Sequence, residues 1–581
     1  MKRKLVIPII FAILLALSAV ALAQTSEGNL LKDLKLIQRI ISEVYEKYVD
    51  PIDTHKLVME GIKGLLNGLD HHTVFMTAKE TEDLKTSTRG EFGGLGIIIG
   101  IRDNILTVIS PMEGTPAYRL GLKAGDKIVG IDGKPTRGMT TEDAVEILRG
   151  EPGTDVTITI VRLGEPEPID YTITRAIIHI DAVPFAGMTE DSVGYIRLAR
   201  FSDDAGPEVR QAIDSLKAIG MKGLIFDLRS NPGGLLSQAV EVASVFLSPG
   251  DTVVYTKGRD NSQRRDYIVR WGASYTDGPL VVLVNGGSAS ASEIVSGAIQ
   301  DHDRGIVMGT RTFGKGLVQS VIPLLDGESL KITTAHYYIS SGRNIQKEDY
   351  LDRPESVVLR PEGEKAVESK RTDSEAGSRW WEYDDDFGEE EGTEIPANAP
   401  IFYTKNKRVV YGGGGVMPDL IEESERLSRL AIELERKSMF FDFAVIYTAD
   451  NPDIKPDFKV DEELYNEFLG YLNEKEFTYK SLPEIELARV ESTIVDLEYG
   501  SEVGTQIREL KAAFEIEKER DFDRNREYIE RSLRREIILS LWGENANYQY
   551  VVLTTDPIIR KAADLILDSK GYASSLGPPK K

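Results

Sequence analysis

The sequence predicts a multidomain α/β protein with a helical N-terminal cap, a β-rich module carrying helices, an α/β core and a mostly helical C-terminal extension. Three observations predict it. Apolar residues recur at helical spacing near the start of the chain, and short β runs punctuated by glycine begin at Gly90. Apolar strand-like runs then alternate with amphipathic helices over residues 180–345, which is α/β patterning. At roughly 150 residues per domain, 581 residues correspond to about four domains.

The first element is an address. Lys2-Arg3-Lys4 precede an apolar run from Leu5 to Ala23, broken only by Ser18 and ending in the A-x-A pattern Ala21-Leu22-Ala23. Residues 1–23 are expected to be a secretory signal peptide cleaved before Gln24, carrying the protein across the cytoplasmic membrane to the periplasm. The rival is a retained N-terminal anchor, because 19 residues can just span a bilayer. Pro8 and the A-x-A end favour cleavage. Lipidation at such a site needs a cysteine, and the chain has none.

Residues 24–87 read as a helical region. Leu30, Leu34, Ile37, Ile41, Val44, Tyr45 and Tyr48 share a helical face, Asp50-Pro51 breaks it, and residues 54–69 carry Leu57, Val58, Ile62, Leu65 and Leu66 on one side. Both faces are expected to pack.

From Gly90, Gly93-Gly94-Leu95-Gly96-Ile97 leads into an apolar strand. Further strands are expected over 105–109, 127–131 and 156–162, with a Thr-capped helix over 141–148. Successive N–H groups of such a glycine turn can cup a terminal carboxylate while the strand edge accepts a peptide as an extra strand. Over residues 88–175 the chain resembles a PDZ domain, with Gly94, Leu95, Gly96 and Ile97 on that family's Gly-Leu-Gly-apolar carboxylate loop. The resemblance implies capture of protein C-termini.

Within the α/β stretch, strands are expected over 194–198, 223–228, 279–284 and 305–308, and helices over 207–219, 237–247 and 292–302. Residues 363–411 form an acidic insertion with Asp384-Asp-Asp386 and Glu389-Glu-Glu391, and residues 412–581 complete the core and continue as charged helices. A net charge of −24 argues against nonspecific binding to nucleic acid or anionic lipid. The lack of cysteine removes disulfides, thiolate metal sites and cysteine nucleophiles, and six histidines leave little for His-based chemistry.

Three segments can carry chemistry. In Asn285-Gly-Gly-Ser-Ala-Ser-Ala-Ser-Glu293, Ser290 and Glu293 fit an S-x-x-E capping box. A cap does not explain three serines alternating with alanines after two glycines, and a serine nucleophile at a helix N-terminus is the other reading. Gly309–Lys315 fits GxxxxGK, but Gly316 replaces the magnesium-binding Ser or Thr and a β-like run follows, which excludes a nucleotide loop. In Asp227-Leu-Arg-Ser-Asn-Pro-Gly-Gly234 a strand end runs into a glycine turn that can expose N–H groups. Together they offer a hydroxyl, an amine base and oxyanion donors. Lys315 can act as base only when neutral, and its reference pKa of ~10.4 must fall to near 7, at a cost of ~4 kcal/mol, by burial in an apolar pocket.

These residues resemble the carboxy-terminal processing (tail-specific) proteases of the serine–lysine class, in the order helices, PDZ domain and core over residues 28–345. The resemblance implies a crotonase/ClpP-like core over 176–362, no cofactor or metal, and a serine endopeptidase working through an acyl-enzyme. It places the nucleophile on Ser290 and the base on Lys315, 25 residues later. Gln319 assists the lysine, and Asp301 is a structural or assisting residue. The oxyanion donors fall on Ala291 and on Gly233 or Gly234. Substrates are proteins or peptides with free C-termini, and the C-terminal extension is expected to mediate homo-oligomerisation or bind an adaptor. One departure is that Ser341-Gly-Arg-Asn-Ile345 and Gly415-Val-Met-Pro-Asp419, nearly adjacent in the family, are about 70 residues apart here. The long tail beyond Leu420 is another. The rival is a noncatalytic PDZ scaffold, which should have lost the serine, lysine or glutamine; all three are present.

Overall fold

The computed structural model describes residues 30–577 apart from 261–262, 271, 273, 348–398 and 497–500. The expected signal segment and most of the acidic insertion lie outside the described residues. The chain divides into two compact units, residues 1–78 with 319–333 and 350–369, and residues 79–318 with 334–349 and 370–581.

In the smaller unit, helices run over 30–47 and Thr54–Asn67, the second capped by the Asp53 side chain, which accepts from Lys56 N–H. The strand Val74–Met76 pairs antiparallel with residues 329–331. The helices form where their periodicity predicts, but the expected packing of their apolar faces is not found. Leu30, Leu34, Ile37 and Tyr45 of the first helix, Tyr48 just after it, and Leu57, Val58 and Leu65 of the second are exposed. Only Leu66 of the second helix is buried. Helical periodicity reports that a face is apolar, not that the same chain supplies the surface that covers it.

The larger unit holds the PDZ domain, the core and the C-terminal helices. In the PDZ domain the strands Ile97–Arg102, Ile105–Pro111, Lys127–Ile131, Asp155–Val161 and Ile169–Thr174 lie in that order, so Ile97–Arg102 is an edge. The helix Thr141–Leu148 forms because Thr140 and Asp143 exchange hydrogen bonds as a capping box while Ala144 and Leu148 face the core. Leu95, Val108, Ile128, Ile158 and Ile160 fill that core.

The α/β core is a six-stranded sheet in the order Phe185–Met188, Gly194–Arg197, Leu224–Asp227, Leu280–Val284, Ile306–Gly309 and Leu420–Ile421. The first pair is antiparallel and the rest are parallel. Its central strands are buried along their whole length, the strand Leu280–Val284 being an unbroken run of Leu and Val. Helices Ala205–Ala218, Leu236–Phe246 and Ala291–Asp301 contribute Ile213, Val242 and Val295 to one layer. The other face is covered from the far end of the chain: Ile558, Ile559, Ala562, Ala563 and Ile566 of the helix Pro557–Leu567 meet Ile225, Val281, Leu283 and Ile306. Helices between residues 429 and 547 build a separate core around Phe440, Phe468, Ile529 and Leu533.

The segments separated by the insertion meet again. Gly413 N–H donates to Asn344 O and Gly415 N–H to Ile345 O, both at 2.7 Å. The Leu420–Ile421 strand then joins the sheet edge beside Ile306–Gly309.

Candidate active site

Ser290 lies at the entry to the helix Ala291–Asp301, after the strand Leu280–Val284 has ended. Its backbone is at φ +54°, ψ −109°, a conformation that side-chain-bearing residues rarely adopt and that costs ~1–3 kcal/mol. The neighbouring serines secure the turn. Ser288 Oγ donates to Leu228 O and Ser292 Oγ to Asn231 O, each at 2.8 Å, and both residues are fully buried. Ser290 alone of the three is only half-buried. The alternation that a cap left unexplained is thus a division of labour: the outer serines bind the backbone of the segment that follows the neighbouring strand, and the middle one is left partly exposed.

Lys315 is half-buried in the irregular stretch between the strands Ile306–Gly309 and Leu317–Pro323. A β-strand follows it, as the exclusion of a nucleotide loop requires. Two side chains tie its backbone to that of Ser290. Glu293 Oε2 accepts from Ser290 N–H at 2.8 Å and from Lys315 N–H at 2.9 Å, so one oxygen atom holds both amides. The Tyr337 hydroxyl contacts both carbonyls, at 3.1 Å for Ser290 O and in a shorter bond to Lys315 O. Glu293 Oε1 accepts in addition from Thr312 Oγ1 at 2.6 Å and Gly314 N–H at 2.7 Å. Burial pushes the Glu293 carboxyl up to about 7, against these hydrogen bonds, which favour its ionised form. Burial also holds the Tyr337 phenol well above its usual value, so it remains a donor.

The glycine turn lies beside Ser290. Gly233 is at φ +100°, and a Cβ there would fall 2.8 Å from Ala289 O and from Ser290 Cβ, and 2.9 Å from Ala291 N, so only glycine fits. Its N–H donates to Asn231 Oδ1 at 2.9 Å; a substrate oxygen must displace that bond to use it. Gly234, at φ +148°, abuts Phe201 instead. Ala291 opens the helix, where N–H groups have no intrahelical acceptor.

Asp301 ends the same helix, eleven residues after Ser290, and there it pairs with the fully buried Arg343 at 2.9 Å and accepts from Ser341 N–H at 2.9 Å. That is a structural position. Gln319 belongs to the smaller unit, where its Nε2 donates to His72 O at 2.7 Å. In the PDZ loop, Gly94 ends a strand paired with Ala176, and Leu95 is buried. Gly96, at φ +78°, has no room for a Cβ beside Thr115. Ile97 starts the edge strand.

Sequence reasoning missed Tyr337 and Asn231, and gave Glu293 only its capping role. The S-x-x-E spacing was a partial signal for Glu293. Tyr337 had none, because its contacts are made across the fold. Among the described residues no cluster of His, Asp and Glu is arranged to hold a metal ion, and no helix is long and apolar enough to cross a membrane.

Residues 192–351 match peptidase family S41, residues 107–162 a PDZ domain, and residues 430–566 the C-terminal helical domain described for probable PDZ-proteases. The carboxy-terminal-processing protease of Bartonella bacilliformis is 41% identical over 373 residues, covering 63% of this chain and 85% of that protein. The chain belongs to the carboxy-terminal processing protease family. It is a serine-type peptidase with a PDZ domain. Among other members, the carboxyl-terminal-processing protease of Synechocystis is 38% identical over 54% of this chain and 74% of its own length. A solved photosystem II D1 C-terminal processing protease is 33% identical over 52% of this chain and 82% of that one, with a TM-score of 0.33.

Proposed function

We propose that this family member is an exported endopeptidase in which Ser290 attacks the scissile carbonyl and Lys315 takes the serine proton. The observation that carries this reading is the shared Glu293 oxygen, which fastens the two residues' amides to one atom. Collapse of the tetrahedral intermediate passes the proton from Lys315 to the leaving amine and leaves an acyl-enzyme on Ser290. Lys315 then deprotonates the water that releases the product. The Ala291 N–H and the Gly233-Gly234 turn stabilise the oxyanion, and Gln319 is the proposed assisting residue.

The PDZ loop from Gly94 to Ile97 takes the substrate's terminal carboxylate, and the edge strand Ile97–Arg102 takes its last residues. Substrates are therefore polypeptides with free C-termini. Residues 1–23 direct export to the periplasm, and the C-terminal extension is the proposed contact for a second copy or an adaptor. Cleavage of an unfolded protein with an apolar C-terminus tests the chemistry: Ser290→Ala and Lys315→Ala should each abolish turnover, and parental rates in both refute the serine–lysine assignment. Amidating that C-terminus should slow cleavage if the carboxylate is captured.

A further inference from the structure

The turn that carries the proposed oxyanion donors is anchored by a residue more than 300 positions away in the chain. The strand Leu224–Asp227 ends in a buried carboxylate. Asp227 accepts from Arg229 Nε at 3.0 Å on both oxygens and from Arg229 Nη2 at 2.6 Å, as well as from Tyr195 Oη at 2.8 Å. The remaining side of the Arg229 guanidinium faces Asp556, with Nη1 2.9 Å from Oδ2. Asp556 is the cap of the helix Pro557–Leu567, and its other oxygen accepts from the N–H groups of Ile558 and Ile559 at 2.8 and 3.2 Å.

From Arg229 the chain runs directly into the site. Ser230, at φ +53°, donates its N–H to Asn285 Oδ1 at 2.6 Å. Asn231 O accepts from Ala289 N–H at 3.0 Å and from Ser292 Oγ at 2.8 Å, and Asn231 Oδ1 holds Gly233 N–H. The segment from 228 to 233 is therefore stitched to the residues on both sides of Ser290, and Arg229 fixes the point where it leaves the sheet. Burial works against the Arg229 charge, but the carboxylates of Asp227 and Asp556 more than offset it and hold the guanidinium well above its usual value. A planar guanidinium gripped by two carboxylates has its orientation fixed, which a single partner on the same short turn would not achieve.

We propose that Asp556 is a positioning residue of the Ser290 site: from the C-terminal helix it clamps Arg229 against Asp227 and so sets the turn that presents the oxyanion donors. This rests on the assignment of Ser290 and of the glycine turn made above. The C-terminal helical stretch thus has a part in the chemistry as well as in covering the sheet.

Asp556→Asn separates this role from helix capping, because asparagine caps as well as aspartate but carries no charge to offer Arg229. The full-length parent, Asp556→Asn, Asp556→Ser (a second variant that retains a cap) and Ser290→Ala are compared on the unfolded substrate. A peptide aldehyde, whose adduct with a serine places an oxyanion in the hole, is titrated as inhibitor. We expect kcat to fall about tenfold in both Asp556 variants with KM within about twofold, and the aldehyde to bind about tenfold more weakly, while the thermal midpoint stays near the parent's. Parental kcat and aldehyde affinity in Asp556→Asn overturn the proposal. So does a loss of activity that only tracks a lowered midpoint, since that is a structural effect. Parental cleavage by Ser290→Ala fails differently: it removes the serine assignment itself, and the inference falls with it.

Discussion

Replacing Glu293 with glutamine should make the protein more stable and less active at pH 8. The carboxyl is fully buried and its pKa lies at about 7, against an ordinary value of 4.5, with burial the main cause. The unfolded chain therefore gives up this proton before the folded one does, and folded stability falls as pH rises from about 4.5 to about 7. At ~1.4 kcal/mol per pKa unit, the loss is about 3 kcal/mol. Glutamine mimics the protonated carboxyl, with one acceptor oxygen and one donor group, and removes that pH dependence. Its amide nitrogen is best tolerated in the Oε1 position, where Thr312 Oγ1 can accept from it, but Gly314 N–H then loses its acceptor. An unpaired buried N–H costs ~1–3 kcal/mol. Losing the Gly314 anchor beside Lys315 displaces the loop, and kcat should fall about 10- to 100-fold. The assay is denaturant unfolding of parent and variant at pH 5 and pH 8, with kcat measured at pH 8. The stability difference should move by about 3 kcal/mol in the variant's favour between the two pH values. A difference independent of pH refutes the buried titration, and parental kcat at pH 8 refutes the role given to the Gly314 bond in holding the Lys315 loop.

Two other substitutions test separate parts of the structure. Gly233→Ala should abolish cleavage and lower the unfolding midpoint, because the new methyl would meet backbone atoms of Ala289 and Ala291 closer than 3.0 Å; a correctly folded, active variant shows that the turn does not abut Ser290. Arg343→Ala leaves Asp301 as an uncompensated buried charge and should cost about 3–5 kcal/mol in denaturant unfolding, with KM unchanged in whatever fraction folds.

Elements with strong local signals were legible to within a residue or two. The helix Thr141–Leu148 matches the expected bounds because its capping box and apolar spacing agree, and the strand Leu280–Val284 is an unbroken apolar run. The turns around Ser290 and Gly233 were also visible, since their small residues and glycines mark where backbone must approach backbone. The apolar faces of the first two helices were legible as apolar but not as exposed, because sequence cannot say what covers a face. Glu293 shows the same limit at the site. Its spacing from Ser290 encodes the cap, whereas its bonds to Thr312, Gly314 and Lys315 are set by how a distant loop folds back. Nothing local in Pro557–Leu567 identifies it as the second cover of the core sheet; its apolar stripe suits any helix partner.

The insertion that departs from the family pattern bears on the proposed dyad through the residues that flank it. The segment after the insertion returns to the core through Gly413 and Gly415, which bond to Asn344 and Ile345, so the residues flanking the insertion are fixed to one another. Immediately after the closure, Val416 N–H donates to Thr312 Oγ1 at 2.7 Å, and the same hydroxyl donates to Glu293 Oε1. The far flank of the insertion therefore supports the carboxylate that fastens Ser290 to Lys315. Gly415 is at φ +82° and a Cβ there would lie 2.4 Å from Thr312 O, so this return path is as tightly specified as the turn beside the serine. The site thus constrains the residues that close the insertion.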